Sequence, residues 1–356
     1  MSNGRTVTIK QIAEVAGVSF STVAKALRGD PAINQKTRQR VKNIAAELNY
    51  YPNSMAKALR SKKTQTIGII LNDLSNPFFS DIYKVIADTL HHKGYSMLLS
   101  DSNYDLEIEK KNILMMLSKK VDGIIISPVN ENSQNNDLII NSNTKAVFID
   151  ITPKNMDVNY VFVNHEKAGY IATNYLLESG HRKILLLNGP KNVSFSEYFL
   201  NGHLKSFEKY NVTPDFNLMI NCKPNIKCAY DLLLHLWGSS NKKYSIDFTA
   251  VLTIGDILAM GIYEAASEIG IKIPEGCSII GYDNIFSSKY CNPPLTTIHQ
   301  PKKRIGQQSI EILLKQLSDN TRTHEKIILE PELIVRDSVA ILQKSYIKQS
   351  NIRKGK

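Results

Sequence analysis

The sequence predicts an α/β protein in two parts: a small three-helix head, and a larger body of parallel sheets layered between helices. Two observations carry that reading. Positive charge is concentrated at the start, where the first 63 residues hold 12 Lys and Arg against 3 Asp and Glu, in a chain of 356 residues whose total is +11. Beyond Gln65 the pattern changes to short apolar runs alternating with longer amphipathic stretches, the signature of strands and crossover helices.

Composition narrows the class. A chain of 356 residues exceeds one ordinary domain, and 42% hydrophobic with 22% charged residues is soluble globular composition. No apolar run reaches the length of a membrane span, and Met1-Ser2-Asn3-Gly4-Arg5 does not start a signal peptide, so a cytoplasmic protein with no membrane partner is expected. Cys222, Cys228, Cys277 and Cys291 have no Cys-x-x-Cys spacing; reduced, buried thiols are expected rather than a metal site or a disulfide frame. The head nets +9 and the remainder of the chain +2, which assigns a polyanion partner to the head alone.

In the head, Ile9 to Ala16 reads as a short helix with Ile9, Ile12 and Ala13 on one face. Gly17 follows, where a tight turn can use positive φ without steric cost. Ser19 offers an N-cap to a second helix running through Leu27, with Val23 and Leu27 facing the first. Asn34 can cap a third helix, Gln35 to Leu48, whose Val41, Ile44, Ala45 and Leu48 close the core. A helix pair with a glycine corner is the helix-turn-helix arrangement, whose second helix enters the major groove of DNA.

In the body, the strand-like runs are Thr66–Leu71, Tyr95–Ser100, Gly123–Ser127, Ala146–Asp150, Lys183–Leu187, Thr249–Thr253 and Ser278–Gly281. Helical stretches between them include Phe78–Lys93, Glu107–Lys119, Glu166–Ser179 and Ile257–Ile269. The runs are too many for one sheet. Open α/β sheets bind ligands beyond the carboxyl ends of their strands, so the places to look are Asp73 to Phe79, Asp101, Asp150, Gly189 to Phe199, Asp256 and Asp283.

The residues themselves are more specific than the pattern. Val7-Thr8-Ile9-Lys10-Gln11-Ile12-Ala13-Glu14-Val15-Ala16-Gly17-Val18-Ser19, Ser21-Thr22-Val23-Ala24-Lys25-Ala26-Leu27 and Asn49-Tyr50-Tyr51-Pro52-Asn53-Ser54-Met55-Ala56-Lys57-Ala58-Leu59-Arg60 resemble the head of the lactose-repressor/galactose-repressor family. The similarity continues through Asp73-Leu74-Ser75-Asn76-Pro77-Phe78-Phe79, Gly255-Asp256-Ile257-Leu258-Ala259-Met260-Gly261, Gly281-Tyr282-Asp283-Asn284 and Pro294-Leu295-Thr296-Thr297-Ile298-His299-Gln300-Pro301. The last two are close to the family's purine-sensing branch. The resemblance implies a helix-turn-helix domain at 1–52, a hinge at 53–65, a two-lobed body at 66–340 with the periplasmic-binding-protein fold, and a basic tail at 341–356.

By family position, Phe20, Ser21 and Lys25 read base edges, while Thr8, Ser19, Thr22 and Arg28 reach the backbone or neighbouring bases. The same resemblance places Ser54, Ala56, Lys57 and Leu59 in a hinge that becomes helical on DNA, with Leu59 as a minor-groove wedge. The family commonly has Ser and Arg where this chain has Ala24 and Lys25. Lysine is a flexible point donor where arginine grips guanine bidentately, so a different half-site preference is expected. For Phe20 a partly buried anchor competes with base contact.

For the cleft, the resemblance sets Phe78 and Phe79 beside the ligand, with Asp150, Asp256 and Asp283 accepting hydrogen bonds from it; for Asp256 a helix cap is the competing role. Many family members keep an arginine where this chain has Phe199, and polar contacts of the purine-sensing branch fall on Val193 and Phe195. That wall has turned apolar, so a neutral sugar stacked on Phe195 or Phe199 is favoured over an anion, with a purine or nucleoside and a protein co-regulator as alternatives. The two phenylalanines filling the cleft is a further alternative. A homodimer on a palindromic operator is expected, since the tail lacks leucine heptads.

Two other classes compete. A solute-binding protein of a transporter shares the body fold but requires a secretory leader where this chain has its basic head. An enzyme would need a site, and the strand-turn-helix units contain neither Gly-x-x-x-x-Gly-Lys-Ser/Thr nor Gly-x-Gly-x-x-Gly. His165, His181 and His203 have no nucleophile or ligand spacing, and for His181 a surface or capping role is expected. No catalytic residue, metal or cofactor is therefore assigned.

Overall fold

The computed structural model describes residues 7–51, 63–191, 193–238, 247–319 and 324–342. The chain divides into two compact units between Thr64 and Gln65.

In the first unit, α1 (Ile9–Ala16), α2 (Phe20–Leu27) and α3 (Gln35–Glu47) form where the sequence predicts them. Thr8 and Gln11 make a capping box: each side chain accepts from the other's backbone amide. Gly17 ends α1 at φ 60° and turns the chain. Ser19 Oγ accepts the Thr22 amide at 3.1 Å, and Asn34 Oδ1 accepts the Thr37 amide at 2.8 Å. Ile12, Ala16, Val23, Ala26, Val41 and Ala45 are buried together as the core.

The second unit is two lobes. The first contains β1 (Thr66–Leu71), β2 (Ser96–Asp101), β3 (Gly123–Ile126), β4 (Lys145–Ile149), β5 (Asn159–Val163) and β11 (Lys326–Leu329). Their order is β11-β5-β4-β3-β1-β2 and every pairing is parallel. The second lobe contains β6 (Ile184–Asn188), β7 (Met219–Asn221), β8 (Ala250–Thr253), β9 (Ser278–Asp283), β10 (Thr296–His299) and β12 (Glu332–Ile334), in the order β12-β10-β9-β8-β6-β7. Only β12 runs antiparallel, against β10. β1, β3, β6 and β8 are short and almost wholly apolar, as strands buried on both faces must be.

Helices cover both faces. α4 (Pro77–His92) and α11 (Lys302–Asp319) close one face of the first lobe, with Ile82, Ile86, Leu90, Ile305 and Leu313 in its core; α5 (Leu106–Ser118) and α6 (Asn135–Asn141) close the other, through Ile113, Met116 and Ile139. In the second lobe, α7 (His165–Glu178), α8 (Ser194–Lys209), α9 (Ile226–Gly238) and α10 (Asp256–Ile269) surround Leu185, Leu187, Val251, Ile279 and Ile280. Among the described residues the chain passes between lobes three times: after Val163, between His299 and Lys302, and between Leu329 and Glu332.

The strands and helices named from sequence are present to within a residue or two. Those not named are β5, β7, β10, β11 and β12, along with α6, α8, α9 and α11. One expectation is corrected: Cys222 and Cys228 are joined as a disulfide, and only Cys277 and Cys291 are free. Six residues of separation hid the pair, because α9 folds Cys228 back beside the end of β7. His181 is also not at the surface: it is buried, with Nδ1 on the Thr249 hydroxyl at 2.9 Å.

Glycine sets the approach of α7 and α8. A Cβ on Gly202 would sit 1.9 Å from the Glu166 carbonyl oxygen, and one on Gly169 would sit 2.1 Å from that of Phe199. Both obstacles are backbone and cannot swing away. Gly202→Ala should therefore cost about 1–3 kcal/mol or more through overpacking. Thermal unfolding measures it, and an unchanged midpoint would contradict this helix contact.

Candidate nucleic-acid interface and effector cleft

The head presents one polar, basic edge. Phe20, Ser21 and Lys25 all project from α2 and are exposed; Phe20 is 55% accessible, so it does not anchor the core. Residues 21 and 25 lie one turn apart on a single face. Ser19 and Thr22 flank them with their hydroxyls 2.9 Å apart, and Arg28 follows the helix, exposed, as its C-cap. Thr8, at the start of α1, is exposed as well. A short exposed helix presenting Phe20, Ser21 and Lys25 fits a major groove. Ser54, Ala56, Lys57 and Leu59 lie outside the described residues.

In the body, the carboxyl ends of both sheets face a common cleft. Its inner cavity measures about 40 Å³ and is lined by Asn76, Phe78, Phe79, Tyr104 and Asp150 from the first lobe, and Phe195, Pro224, Tyr282 and Asp283 from the second. His165 and Gln300, at two of the crossings, and Ile254, Gly255 and Ile257 after β8 complete the lining. An outer mouth of about 480 Å³ lies between Asp73, Ser75 and Asn76 on one side and Pro224, Asn225, Ile226, Lys227 and Ile257 on the other. A larger cavity of about 660 Å³ opens at the opposite ends of β4 and β5, beside Lys145 and Asn159, away from the strand ends where such sheets bind ligands.

The inner cavity is rich in acceptors held at unusual protonation. Asp150 follows β4 at φ 64°, and burial pushes its carboxyl up to about 7, opposed by a hydrogen bond with Ser127. His165 Nε2 stands 4.0 Å from Asp150 Oδ1 and has no hydrogen-bond partner, while Nδ1 meets the Tyr282 hydroxyl at 2.6 Å. Burial lowers His165 to about 4, so the imidazole is neutral near pH 7 and this is not an ion pair. Asp283 is raised well above the carboxylate range by burial and then by the Asp256 charge; its Oδ1 accepts from Gln300 Nε2 at 2.7 Å. Gln300 Oε1 is buried without a partner. Among the described residues lining this cavity, none is Lys or Arg.

Of the ligand residues expected from sequence, Phe78, Phe79, Asp150, Phe195 and Asp283 come together here. Asp256 does not. It is fully buried, with Oδ1 accepting from the Thr297 hydroxyl at 2.6 Å and Oδ2 from the Ile285 amide at 2.8 Å, and is absent from the lining. Its carboxylate is committed to shaping the loop after β9. Phe199 is also corrected: it is 1% exposed in the second lobe's core, edge-on to Tyr282 at 5.3 Å. Of the two phenylalanines, only Phe195 lines the cleft. Sequence reasoning missed His165, Tyr282, Gln300 and Tyr104. The first and third directly follow β5 and β10, so the rule of looking beyond strand ends would have found them had those strands been read.

Similarity to known proteins fits this architecture. Residues 8–53 match the family described as bacterial regulatory proteins, lacI family, and residues 64–336 match the periplasmic binding proteins and sugar binding domain of LacI family. The chain therefore belongs to the LacI family of DNA-binding transcription repressors. It is 32% identical to the HTH-type transcriptional repressor PurR of Vibrio atlanticus (strain LGP32), over 94% of this chain and 99% of that protein. The PurR of Histophilus somni (strain 129Pt) is 33% identical over 94% and 99%. Among solved structures, the lac repressor dimer bound to operator and the anti-inducer ONPF superposes with a TM-score of 0.82 at 28% identity, covering 94% of this chain and 100% of that one. A LacI family transcriptional regulator from Enterococcus faecium with bound ribose gives 0.69 at 28%, covering 78% and 100%.

Asp150 makes the cleft pH-sensitive. Its folded value of about 7 lies above the ordinary 3.8, so its contribution to stability is complete below about 3.8 and is lost as pH rises through about 7. His165 acts oppositely between about 4 and 6.5, and comparing a variant with its parent cancels that contribution. Asp150→Asn should gain midpoint relative to the parent as pH is raised from about 5 to about 8. Parallel pH profiles for the two proteins would show that Asp150 titrates normally.

Proposed function

We propose that this chain represses transcription as a homodimer on a palindromic operator in the cytoplasm, and that a neutral, hydroxyl-rich sugar in the inner cleft controls it. The observation that carries the DNA half is the row of Phe20, Ser21 and Lys25, all exposed on one short helix of a basic head. The cleft supports the effector half. The unpartnered Gln300 Oε1 is an acceptor for ligand donors, the carboxyls of Asp150 and Asp283, raised by burial, can both donate and accept, and Phe78, Phe79 and Phe195 supply apolar and aromatic walls. Among the described residues of the inner lining there is no Lys or Arg to meet an anionic ligand.

At about 40 Å³ the inner cavity has room for about one water. An effector therefore enters a more open arrangement of the lobes and is read by how it changes their angle. The lobe angle sets the separation of the two hinges in a dimer, and with it the ability of Leu59 and its neighbours to enter the minor groove. A ligand that prefers the DNA-competent arrangement is a corepressor; one that prefers the other releases the operator. A purine or nucleoside is the second reading, favoured by the PurR relatives and by Asp283 in a motif shared with that branch.

Two measurements test these readings. Lys25→Ala should weaken discrimination between operator and random DNA by about 1–3 kcal/mol if Lys25 reads a base; equal losses on both would make it a phosphate contact. A thermal-shift screen of the full chain against sugars, nucleosides and nucleobases should give a neutral sugar adding about 2.7 kcal/mol at 100 times its Kd. A shift confined to nucleobases or nucleosides would overturn the sugar reading in favour of the second.

A further inference from the structure

We propose that Cys222 and Cys228 form a reversible redox site that fixes one wall of the cleft mouth, giving the regulator an oxidant input beside its effector. Cys222 follows β7 and is 3% exposed, its amide held by the Asn188 carbonyl at 2.8 Å. Cys228 lies in the first turn of α9, half-buried beside the exposed Lys227. Their Cα atoms are 6.1 Å apart, a span a disulfide bridges without backbone movement, and the structure joins the two sulfurs.

The loop between them is the mouth. Pro224 lines both the inner cavity and the outer mouth, and Asn225, Ile226 and Lys227 line the mouth. Oxidation ties this wall at both ends. On reduction, it keeps local hydrogen bonds: Asn225 Oδ1 accepting the Cys228 amide at 2.8 Å and the Asn225 amide donating to the Lys223 carbonyl at 2.7 Å. The far side of the loop is rigid, because the Ile226 carbonyl sits 2.2 Å from where a Cβ on Gly261 would be, leaving α9 tight against α10. Freedom gained on reduction thus extends from Lys223 to Lys227, where opening must lift the first turn of α9 away from α10.

The other cysteines do not compete. Cys277 is buried and burial pushes its thiol up to about 12; Cys291 is raised by burial too. Cys228 instead is half-buried in the first turn of α9, with Lys223 and Lys227 close in sequence, a setting that favours thiolate over thiol. Disulfides of intracellular proteins are commonly transient and redox-sensing rather than structural.

The chemistry uses a low-molecular-weight disulfide, RSSR. The Cys228 thiolate attacks one of its sulfurs, forming the Cys228–SR mixed disulfide and releasing RS⁻. The Cys222 thiolate then attacks Cys228 Sγ, closing the protein disulfide and releasing the second RS⁻. The two protein thiols lose two electrons and two protons, and RSSR becomes two RSH. A dithiol reverses both steps. The regulatory meaning rests on the cleft being the effector site; the thiol chemistry does not.

The test uses the full-length protein equilibrated with oxidised glutathione or with dithiothreitol. Tryptic peptides separated at Lys227 should be found cross-linked through Cys222 and Cys228 after oxidised glutathione and separate after dithiothreitol. Brief trypsin treatment of the folded protein should cut after Lys227 about tenfold more slowly when oxidised, equivalent to about 1.4 kcal/mol in local opening. Cys222→Ser should cut at the reduced rate under both conditions. Failure to form the cross-linked peptide, or equal cutting rates in the two states, overturns the proposal. Neither readout involves an effector or DNA, so failure of the sugar reading leaves both unaffected.

Discussion

The buried carboxylate of Asp256 organises the second lobe's half of the cleft. It begins α10, directly after β8, and accepts from the Thr297 hydroxyl on β10 and from the Ile285 amide after β9. Three strand ends are thereby tied to one side chain. Gly281 lies close enough that its Cβ would be 2.1 Å from Asp256 Oδ1, so the strand beneath must be bare. With that tie in place, Asp283 leaves β9 at φ 110° and its carbonyl accepts from Lys302 Nζ at 2.8 Å. Gln300 then reaches Asp283 from the crossing that follows β10. Burial raises Asp256 to about 7, against hydrogen bonds from Thr297 and Ile285 that favour the carboxylate. Its ionisation and the shape of the ligand wall are therefore coupled.

Much of this was legible in the sequence because burial on both faces leaves a plain mark. Thr66–Leu71 and Ala250–Thr253 are apolar runs bounded by polar turns, and the helices between them carry regular apolar spacing. The caps Thr8, Ser19 and Asn34 are local chemistry and could be read directly. Several short strands could not. Met219–Asn221 and Glu332–Ile334 are three residues each, and the alternating burial of Asn159–Val163 is a weaker signal than a continuous apolar run. Missing β5 hid His165, which no quoted motif contains, and missing β10 left Gln300 unassigned although it lies in the motif Pro294 to Pro301.

The error over Phe199 has a different source. Phe195 and Phe199 are one turn apart on α8, and i and i+4 share a face, so grouping them was reasonable. But α8 starts at the cleft and runs away from it. One turn carries the second ring from the lining into the core, against Tyr282. Depth along a helix axis is not written in periodicity; it follows from where the helix begins, and that depended on an unread boundary. Asp256 misled for a related reason: a carboxylate after a strand serves a ligand or its own turn, and only the positions of Thr297 and Ile285 decide which.

The three passages between lobes bear on how the molecule is made. β11 belongs to the first lobe and β12 to the second, and they are consecutive near the end of the chain. The first sheet lacks its last strand until Leu329 has been synthesised and the second until Ile334, whereas the head's three helices are complete at Glu47. Domains generally fold as units in the order they emerge from the ribosome. The head is thus a finished, positively charged module while both lobes still lack an edge, and a nascent chain carries its nucleic-acid surface well before it owns a cleft. A messenger truncated before the final strands would yield a head still able to fold, attached to two unsealed sheets.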